Sequence, residues 1–156
     1  KSAPRSAAKG MDMRTIFILN GPNLNLLGQR EPDIYGRTIL DEIRGWLEAD
    51  AAELGVAIDF RQSNFEGEII ESIHAARHDA AGIIINPAAY TFSSIAILDA
   101  LKTFDKPKIE LHISNVHQRE EIYHKSLVSK TATAVMAGFG AYGYRLALRA
   151  MAEMTQ

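Results

Sequence analysis

The sequence predicts an α/β protein built on one doubly wound sheet of five parallel strands, with helices on both faces. Two observations carry this prediction. Short apolar segments alternate with longer segments of helical periodicity along the 156 residues. The segments at 15–20 and 82–86 are apolar almost without interruption, as strands are when helices cover both sides of a parallel sheet.

The first half of the chain contains two predicted strands and two predicted helices. The first strand ends at Gly21-Pro22, and a loop rich in Gly and Pro follows it as far as Gly36. Apolar residues then recur at helical spacing up to Gly55, which is typical of a residue that ends a helix. The predicted elements are strands at 15–20 and 56–61 and helices at 39–54 and 66–78.

The second half repeats the alternation three times. Pro87 ends the third strand, and either Ser93 or Ser94 caps the helix that follows. The predicted strands lie at 82–86, 108–112 and 133–137. One predicted helix runs from this cap to Leu101, and another lies at 141–154. The connection at 114–130 is predicted to be irregular, with a helical turn near Glu120. Five strand–helix units in this length favour a flavodoxin-like arrangement.

The length of the chain predicts a single domain, at residues 13–156. Residues 1–12 are small and basic and lack the apolar core of a signal peptide. They are predicted to be a disordered tail or a remnant of an expression vector.

Composition argues against several classes of function. The net charge is −2 and no basic block occurs, so no nucleic-acid partner is expected. Cysteine is absent, which excludes disulfides, a thiol nucleophile and thiolate metal sites and fits a reducing, cytoplasmic location. No apolar segment approaches the roughly 18 residues that span a bilayer, so no membrane partner is expected.

Polar side chains follow the predicted strands at the edge where open α/β sheets bind ligands. Asn20 and Asn23 follow the first strand, Asn86 the third and His112 the fourth. Amide, imidazole and backbone N–H groups suit an oxygen-rich anion rather than a hydride-carrying cofactor. Glu110 shares a strand face with His112, where a carboxylate fixes the tautomer of the ring and favours its charged form. His112 is therefore either a general acid or a hydrogen-bonded structural histidine.

Three further patterns each allow two interpretations. Residues 138–143 match G-x-G-x-x-G, but they follow the last strand rather than the first, which favours a tight turn over a dinucleotide site. His74 and His78 lie one helical turn apart and lack a third ligand, which favours a solvated face over a metal site. Arg30 and Tyr35 share the first loop, where a guanidinium would favour the phenolate; a surface tyrosine beside a solvated arginine is the alternative.

Five segments resemble, in order and at matching spacing, those of the type II 3-dehydroquinate dehydratases. They are residues 18–36 (ILNGPNLNLLGQREPDIYG), 62–67 (QSNFEG), 85–91 (INPAAYT), 110–121 (ELHISNVHQREE) and 140–143 (GAYG), within a resemblance that runs from about Met13 to Ala152. The resemblance implies a lyase of the shikimate and quinate pathways that converts 3-dehydroquinate to 3-dehydroshikimate by anti elimination, without metal, Schiff base or cofactor. It also implies flavodoxin-like protomers assembled into trimers, and trimers into a dodecamer.

The resemblance assigns chemical roles to five residues. Tyr35 matches the base that removes a proton from C2, next to the ketone, and Arg30 matches the loop arginine that favours the tyrosinate. Asn23 matches the amide that helps to hold the enolate through a water. His112 matches the acid that protonates the departing C1 hydroxyl, and Glu110 the carboxylate that orients the ring.

Other positions match substrate contacts. Asn86 and the backbone N–H groups of Ile113 and Ser114 match contacts to the substrate carboxylate and hydroxyl, and Arg119 an arginine that positions nearby groups. Asp99 matches an acid that reaches into the site of a neighbouring subunit. The segment from Gly28 to Gly36 is then expected to be a mobile lid.

Two substrate-contact positions depart from the family pattern. Phe92 stands where the family has histidine, and Tyr123 where it usually has arginine. Both belong to the part of the site that contacts ring hydroxyls distant from the elimination. Two alternatives therefore stay beside dehydroquinate dehydration: the same elimination on a related hydroxy-keto ring acid, and non-catalytic binding of a cyclic acid. Tyr35 and His112 argue against the second, because a binding protein needs neither a base nor an acid.

Overall fold

Five parallel strands form one sheet in the computed structural model, which describes residues 12–156. The strands are β1 (Thr15–Asn20), β2 (Ala57–Gln62), β3 (Gly82–Asn86), β4 (Lys108–His112) and β5 (Ala134–Ala137). Their order in the sheet is β2-β1-β3-β4-β5. Successive strands are therefore added on one side of β1 first and then, from β3 onward, on its other side. The predicted flavodoxin-like, doubly wound sheet is confirmed. The prediction for the tail at residues 1–11 lies outside the described residues.

Helices cover both faces of the sheet, as predicted. They are α1 (Pro32–Tyr35), α2 (Leu40–Leu54), α3 (Glu66–Asp79), α4 (Tyr90–Ser93), α5 (Ile95–Lys102) and α6 (Tyr142–Met154). α2 packs beside α6, and α3 packs beside α5. None of these helices is long and apolar enough to cross a membrane.

β1 shows why a nearly continuous apolar segment becomes a central strand. Ile16 and Ile18 pack into the core that contains α2 and α6, whereas Phe17 and Leu19 pack into the core that contains α3 and α5. Successive side chains of a strand point to opposite faces, so a strand between two helical layers must be apolar at every position.

The structure refines the predicted elements at several places. The loop before α2 contains the short helix α1, and a separate turn, α4, precedes α5. Of the two serines predicted as caps, Ser94 caps α5, with its hydroxyl 2.9 Å from the amide nitrogen of Ile97. Ile39, the first residue of the predicted helix, instead precedes α2 and is exposed. The irregular connection after β4 contains three 3-10 turns, at 116–118, 121–123 and 128–130, where one helical turn near Glu120 was predicted.

A buried carboxylate joins α2 to α6. Asp50 is 1% exposed and receives two hydrogen bonds from Arg145, at 2.8 and 2.7 Å, and a longer one from Arg149 at 3.4 Å. The hydrogen bonds from Arg145 hold the pKa of Asp50 below its usual value, against the opposing effect of burial. This ion pair therefore connects the C-terminal helix, α6, to α2.

Replacing Asp50 by Asn is expected to lower the free energy of unfolding by about 2 kcal/mol at pH 7. The folded-state pKa of Asp50 lies below 3.8, so its contribution is complete above that pH and is lost as the pH falls through the folded-state value. Urea unfolding at pH 7 and pH 3 should therefore show a smaller difference between the two proteins at pH 3. A difference of equal size at both values would assign the loss to packing instead.

The matched control for this change is Glu53→Gln. Glu53 lies 3.9 Å from the same Arg149, but its side chain is 71% exposed. Exposed ion pairs contribute little, so this variant should unfold like the parent protein.

Candidate active site

One cleft opens at the carboxyl ends of β1, β3 and β4, beside the reversal of strand order. Ten residues that the sequence singles out line it: Asn23, Arg30, Tyr35, Asn86, Phe92, His112, Ile113, Ser114, Arg119 and Tyr123. Its apolar lining, which sequence reasoning did not single out, comes from Pro22, Leu24, Leu27, Ala88, Ala89 and Val116. The cleft thus combines polar groups that can orient a ligand with walls that exclude water.

The imidazole of His112 is held by Glu110 at the end of β4. Nε2 of the ring lies 2.7 Å from Oε1 of Glu110, as expected for residues on the same strand face. His112 is 6% exposed and lines the cleft, whereas Glu110 is fully buried behind it. Because Nε2 faces the carboxylate, Nδ1 is the nitrogen that can pass a proton to a ligand.

Two serines that sequence reasoning missed keep Glu110 ionised. Ser126 donates to Oε1 of Glu110 at 2.5 Å, and Ser129 donates to Oε2. Burial opposes ionisation, but the hydrogen bonds from His112, Ser126 and Ser129 outweigh it and hold the pKa of Glu110 below its usual value. The sole signal in the sequence was a pair of hydroxyl residues in an irregular connection.

The hydroxyl of Tyr35 is bonded to Arg119 rather than to Arg30. Nη1 of Arg119 donates to it at 2.8 Å. Arg30 lies with its guanidinium carbon 5.6 Å from the centre of the Tyr35 ring and pairs with Glu31 at 3.4 Å. Both arginines place positive charge beside the phenol, but the direct hydrogen bond joins residues 84 positions apart, which the sequence could not reveal.

The two ends of the loop that carries Tyr35 lie close together. Gly28 and Gly36 both adopt positive φ values, 87° and 80°, which side chains disfavour. A Cβ atom at Gly28 would lie 2.6 Å from the carbonyl oxygen of Arg37, so the two ends of the loop touch. Between them, the helix α1 presents Tyr35 to the cleft. This geometry suits the predicted lid, whose motion stays a prediction.

Asn23 is held in an unusual backbone conformation at the rim of the cleft. Its φ is 67°, in the left-handed region that non-glycine residues rarely adopt. Asn64 follows β2, and its side-chain oxygen accepts a hydrogen bond from the backbone N–H of Asn23 at 3.0 Å. The backbone carbonyl of Asn64 accepts one from the Tyr90 hydroxyl at 2.9 Å. Asn64 therefore joins the loops that follow three strands.

The floor of the cleft is fixed by a buried network around Tyr144. The Tyr144 hydroxyl donates to Asn20 at 2.7 Å and accepts from Asn86 at 3.1 Å, and the amide of Ala88 donates to the side chain of Asn86 at 3.2 Å. Tyr144 is 1% exposed, and burial raises its pKa, so the hydroxyl keeps its proton. Asn86 is thereby oriented before any ligand arrives.

The two departures from the family pattern contact each other. The Phe92 ring stacks on His112 with a centroid distance of 6.1 Å and makes an edge-to-face contact with the Tyr123 ring, with a centroid distance of 5.5 Å. The guanidinium carbon of Arg119 lies 3.9 Å from the centre of the Tyr123 ring. An aromatic wall therefore runs along one side of the cleft, between the acid candidate and the base candidate.

Some predicted residues lie elsewhere. Asp99 is exposed on α5, outside the cleft, and pairs with Lys102 at 3.5 Å. His74 and His78 are exposed on α3. Among residues 12–156, no three His, Asp or Glu side chains gather closely enough to share a metal ion. In the G-x-G-x-x-G segment, Gly143 lets α6 pack on β4, since a Cβ atom there would lie 3.2 Å from Leu111.

Residues 14–152 match the sequence profile of the family described as dehydroquinase class II. A 3-dehydroquinate dehydratase of Methylobacterium radiotolerans is 54% identical over 140 residues, which cover 90% of this chain and 94% of that protein. A protein of Pseudomonas aeruginosa named 3-dehydroquinate dehydratase 2 is 55% identical over 140 residues, 90% of this chain and 95% of that protein.

Solved structures give the same result. A type II dehydroquinase from Propionibacterium acnes superposes with a TM-score of 0.87 at 44% identity, covering 92% of this chain and 99% of that one. A 3-dehydroquinate dehydratase-like protein from Bifidobacterium longum superposes with a TM-score of 0.69 at 30% identity, covering 91% and 98% of the two chains.

Proposed function

The chain belongs to the class II dehydroquinase family, and we propose that it dehydrates 3-dehydroquinate by an anti elimination through an enolate, with Tyr35 as base and His112 as acid. One observation carries the proposal. The two candidate groups enter the same cleft from different elements, Tyr35 from the loop above it and His112 from the end of β4. An anti elimination needs a base and an acid that reach the ring from different sides.

The first step is removal of a proton from C2. The phenolate of Tyr35 takes this proton, and the electron pair of the C–H bond moves toward the ketone oxygen to give an enolate. Arg119, at 2.8 Å from the hydroxyl, and Arg30 beside the ring both place positive charge next to this base. Asn23, fixed at the rim of the cleft, helps to hold the enolate charge through a bridging water.

The second step is loss of the C1 hydroxyl. The enolate electrons form the C1–C2 double bond, and the C1–O bond breaks. Nδ1 of His112 supplies the proton, so that the group leaves as water. Glu110, ionised and fixed by three donors, stabilises the imidazolium before this transfer. Asn86 and the backbone N–H groups of Ile113 and Ser114 bind the substrate carboxylate and hydroxyl at the floor of the cleft.

The test of the proposed function is direct. The full chain is mixed with 3-dehydroquinate, and ultraviolet absorbance is followed for the conjugated enone of the product. A steady rise that depends on protein concentration is expected. Absence of a rise, with a known dehydroquinase active under the same conditions, would contradict the assignment of substrate.

The aromatic wall favours a second candidate substrate class. Phe92 offers no hydrogen bond where a ring hydroxyl would need one, and an unpaired buried hydroxyl costs about 1–3 kcal/mol. The same elimination on a hydroxy-keto ring acid with fewer or differently placed hydroxyls is therefore the alternative. This alternative would be excluded if kcat/KM for 3-dehydroquinate matched that of a known dehydroquinase.

Replacing Phe92 by His is expected to lower KM for 3-dehydroquinate about tenfold, because it restores a donor beside the ring hydroxyls. The value of kcat should change less, since the hydroxyls contacted are distant from the reacting carbons. Initial rates over a range of substrate concentrations measure both constants. An unchanged KM would show that another group already satisfies the hydroxyl.

The assembly and location of the protein belong to the same proposal. The family resemblance implies trimers gathered into a dodecamer, with Asp99 of one subunit near the cleft of its neighbour. The sequence favours a cytoplasmic location. Light scattering of the purified protein tests the assembly.

A further inference from the structure

We propose that Tyr123 is a positioning residue for the base: its ring holds the guanidinium of Arg119 against the hydroxyl of Tyr35. This inference rests on the proposed function, in which Tyr35 removes the C2 proton. It gives Tyr123 a task different from binding the substrate ring.

A single guanidinium contacts both tyrosines. The central carbon of Arg119 lies 3.9 Å from the centre of the Tyr123 ring, well inside the range of a cation–π contact. The same group donates from Nη1 to the Tyr35 hydroxyl at 2.8 Å. The face of the Tyr123 ring therefore supports the Arg119 guanidinium, and an N–H at the edge of that guanidinium donates to Tyr35.

Arg119 has few other side-chain contacts that could orient it. Among residues 12–156, no carboxylate lies within ion-pair distance of its guanidinium. A long side chain without such a partner samples many rotamers unless packing restricts it. The Tyr123 face supplies that restriction, since a planar cation stacks on an aromatic ring.

The backbone places the two residues together. Tyr123 belongs to the 3-10 turn at 121–123, and its amide donates to the carbonyl of Glu120 at 2.9 Å. The ring of His124 bonds the carbonyl oxygen of Arg119 at 2.6 Å and fixes the main chain that carries the arginine. One short segment thus sets the relative position of cation and ring.

Phe92 also contacts Tyr123. The two ring centroids lie 5.5 Å apart, with an interplanar angle of 79°. Such edge-to-face contacts have a preferred geometry, so the Phe92 ring restricts the orientation of the Tyr123 ring. Phe92 and Tyr123, the two residues that depart from the family pattern, therefore support the guanidinium of Arg119 together.

The first experiment compares two changes at Tyr123 in the full chain. With 3-dehydroquinate as substrate, Tyr123→Leu should lower kcat about tenfold, since it removes the aromatic face, and should change KM little. Tyr123→Phe keeps the face and should restore most of kcat. Tyr142→Leu is the matched control, because Tyr142 is 54% exposed, lies beside Arg145 and is outside the cleft.

The second experiment is a double-mutant cycle with Arg119→Met. If Tyr123 acts through Arg119, adding Tyr123→Leu to the Arg119→Met variant should cause no further loss of kcat. Multiplication of the two single losses would overturn the proposal. So would a Tyr123→Phe variant as slow as Tyr123→Leu.

A measurement without turnover separates this inference from the proposed function. In an NMR spectrum of arginine side chains, the signal that Arg119→Met removes should show an upfield ring-current shift. Tyr123→Phe should keep the shift. Tyr123→Leu should reduce it to the small part that the Tyr35 ring contributes, since that ring lies farther from the guanidinium carbon, at 5.6 Å. An undiminished shift in Tyr123→Leu would overturn the proposal, whereas a shift of the expected size in a protein that never converts 3-dehydroquinate would count against the reaction alone.

Discussion

Replacing Tyr35 by Phe is expected to lower kcat for 3-dehydroquinate by roughly a thousandfold or more while leaving the fold intact. The change deletes the hydroxyl oxygen that is proposed to accept the C2 proton. Tyr35 is only half buried, and the ring that packs against the core is retained, so stability should change little. Loss of one hydrogen bond to Arg119 is the main structural effect.

The measurement pairs kcat with ligand affinity. Binding of 3-dehydroquinate to the inactive Tyr35→Phe protein, followed by calorimetry, should give a Kd close to the KM of the parent protein. Tyr142→Phe is the control, since it removes an exposed hydroxyl outside the cleft. A Tyr35→Phe variant with near-parental turnover would show that another group is the base.

Replacing His112 by Ala should also abolish nearly all dehydration, with a loss of about 10²–10⁴ in kcat. Without the imidazolium, the C1 hydroxyl must leave as hydroxide. The change also removes one of the three hydrogen bonds to the buried Glu110, so the free energy of unfolding should fall as well.

Two further variants separate chemistry from folding. Glu110→Gln keeps a hydrogen-bond acceptor but removes the charge, and should slow kcat less than His112→Ala does. His117→Ala, an exposed histidine in the following turn, should leave kcat unchanged. Proton exchange at C2 offers a direct test of the acid's place in the sequence of steps. His112→Ala should still exchange that hydrogen with deuterated water, because Tyr35 remains; absence of exchange would place His112 in the first step.

The fold could be predicted from sequence because its strands carry strong local signals. Residues 15–20 and 82–86 are apolar almost without interruption and are followed by Gly21 and Pro87, so their type and their C-terminal ends are marked. The short helix α1 could not be predicted, since the four residues Pro32–Tyr35 are too few to show helical periodicity.

Without the family resemblance, residues could be placed together in one site only where they follow strands. Asn23, Asn86 and His112 could be placed at one edge because parallel strands end there together. The partners of the polar groups were not predictable. Ser126 and Ser129 lie in a connection without regular structure, and the bond from Arg119 to Tyr35 joins two loops whose approach no local pattern encodes.

The place of Tyr144 in the chain has a consequence for synthesis on the ribosome. Tyr144 lies 124 residues after Asn20, yet its hydroxyl completes the hydrogen bonds that orient Asn20 and Asn86. A nascent chain can therefore form β1 to β4 and still lack the floor of the cleft until α6 has emerged and docked. We therefore expect a chain to bind ligand in this cleft only after α6 has docked, so that incomplete chains would not compete with finished protein.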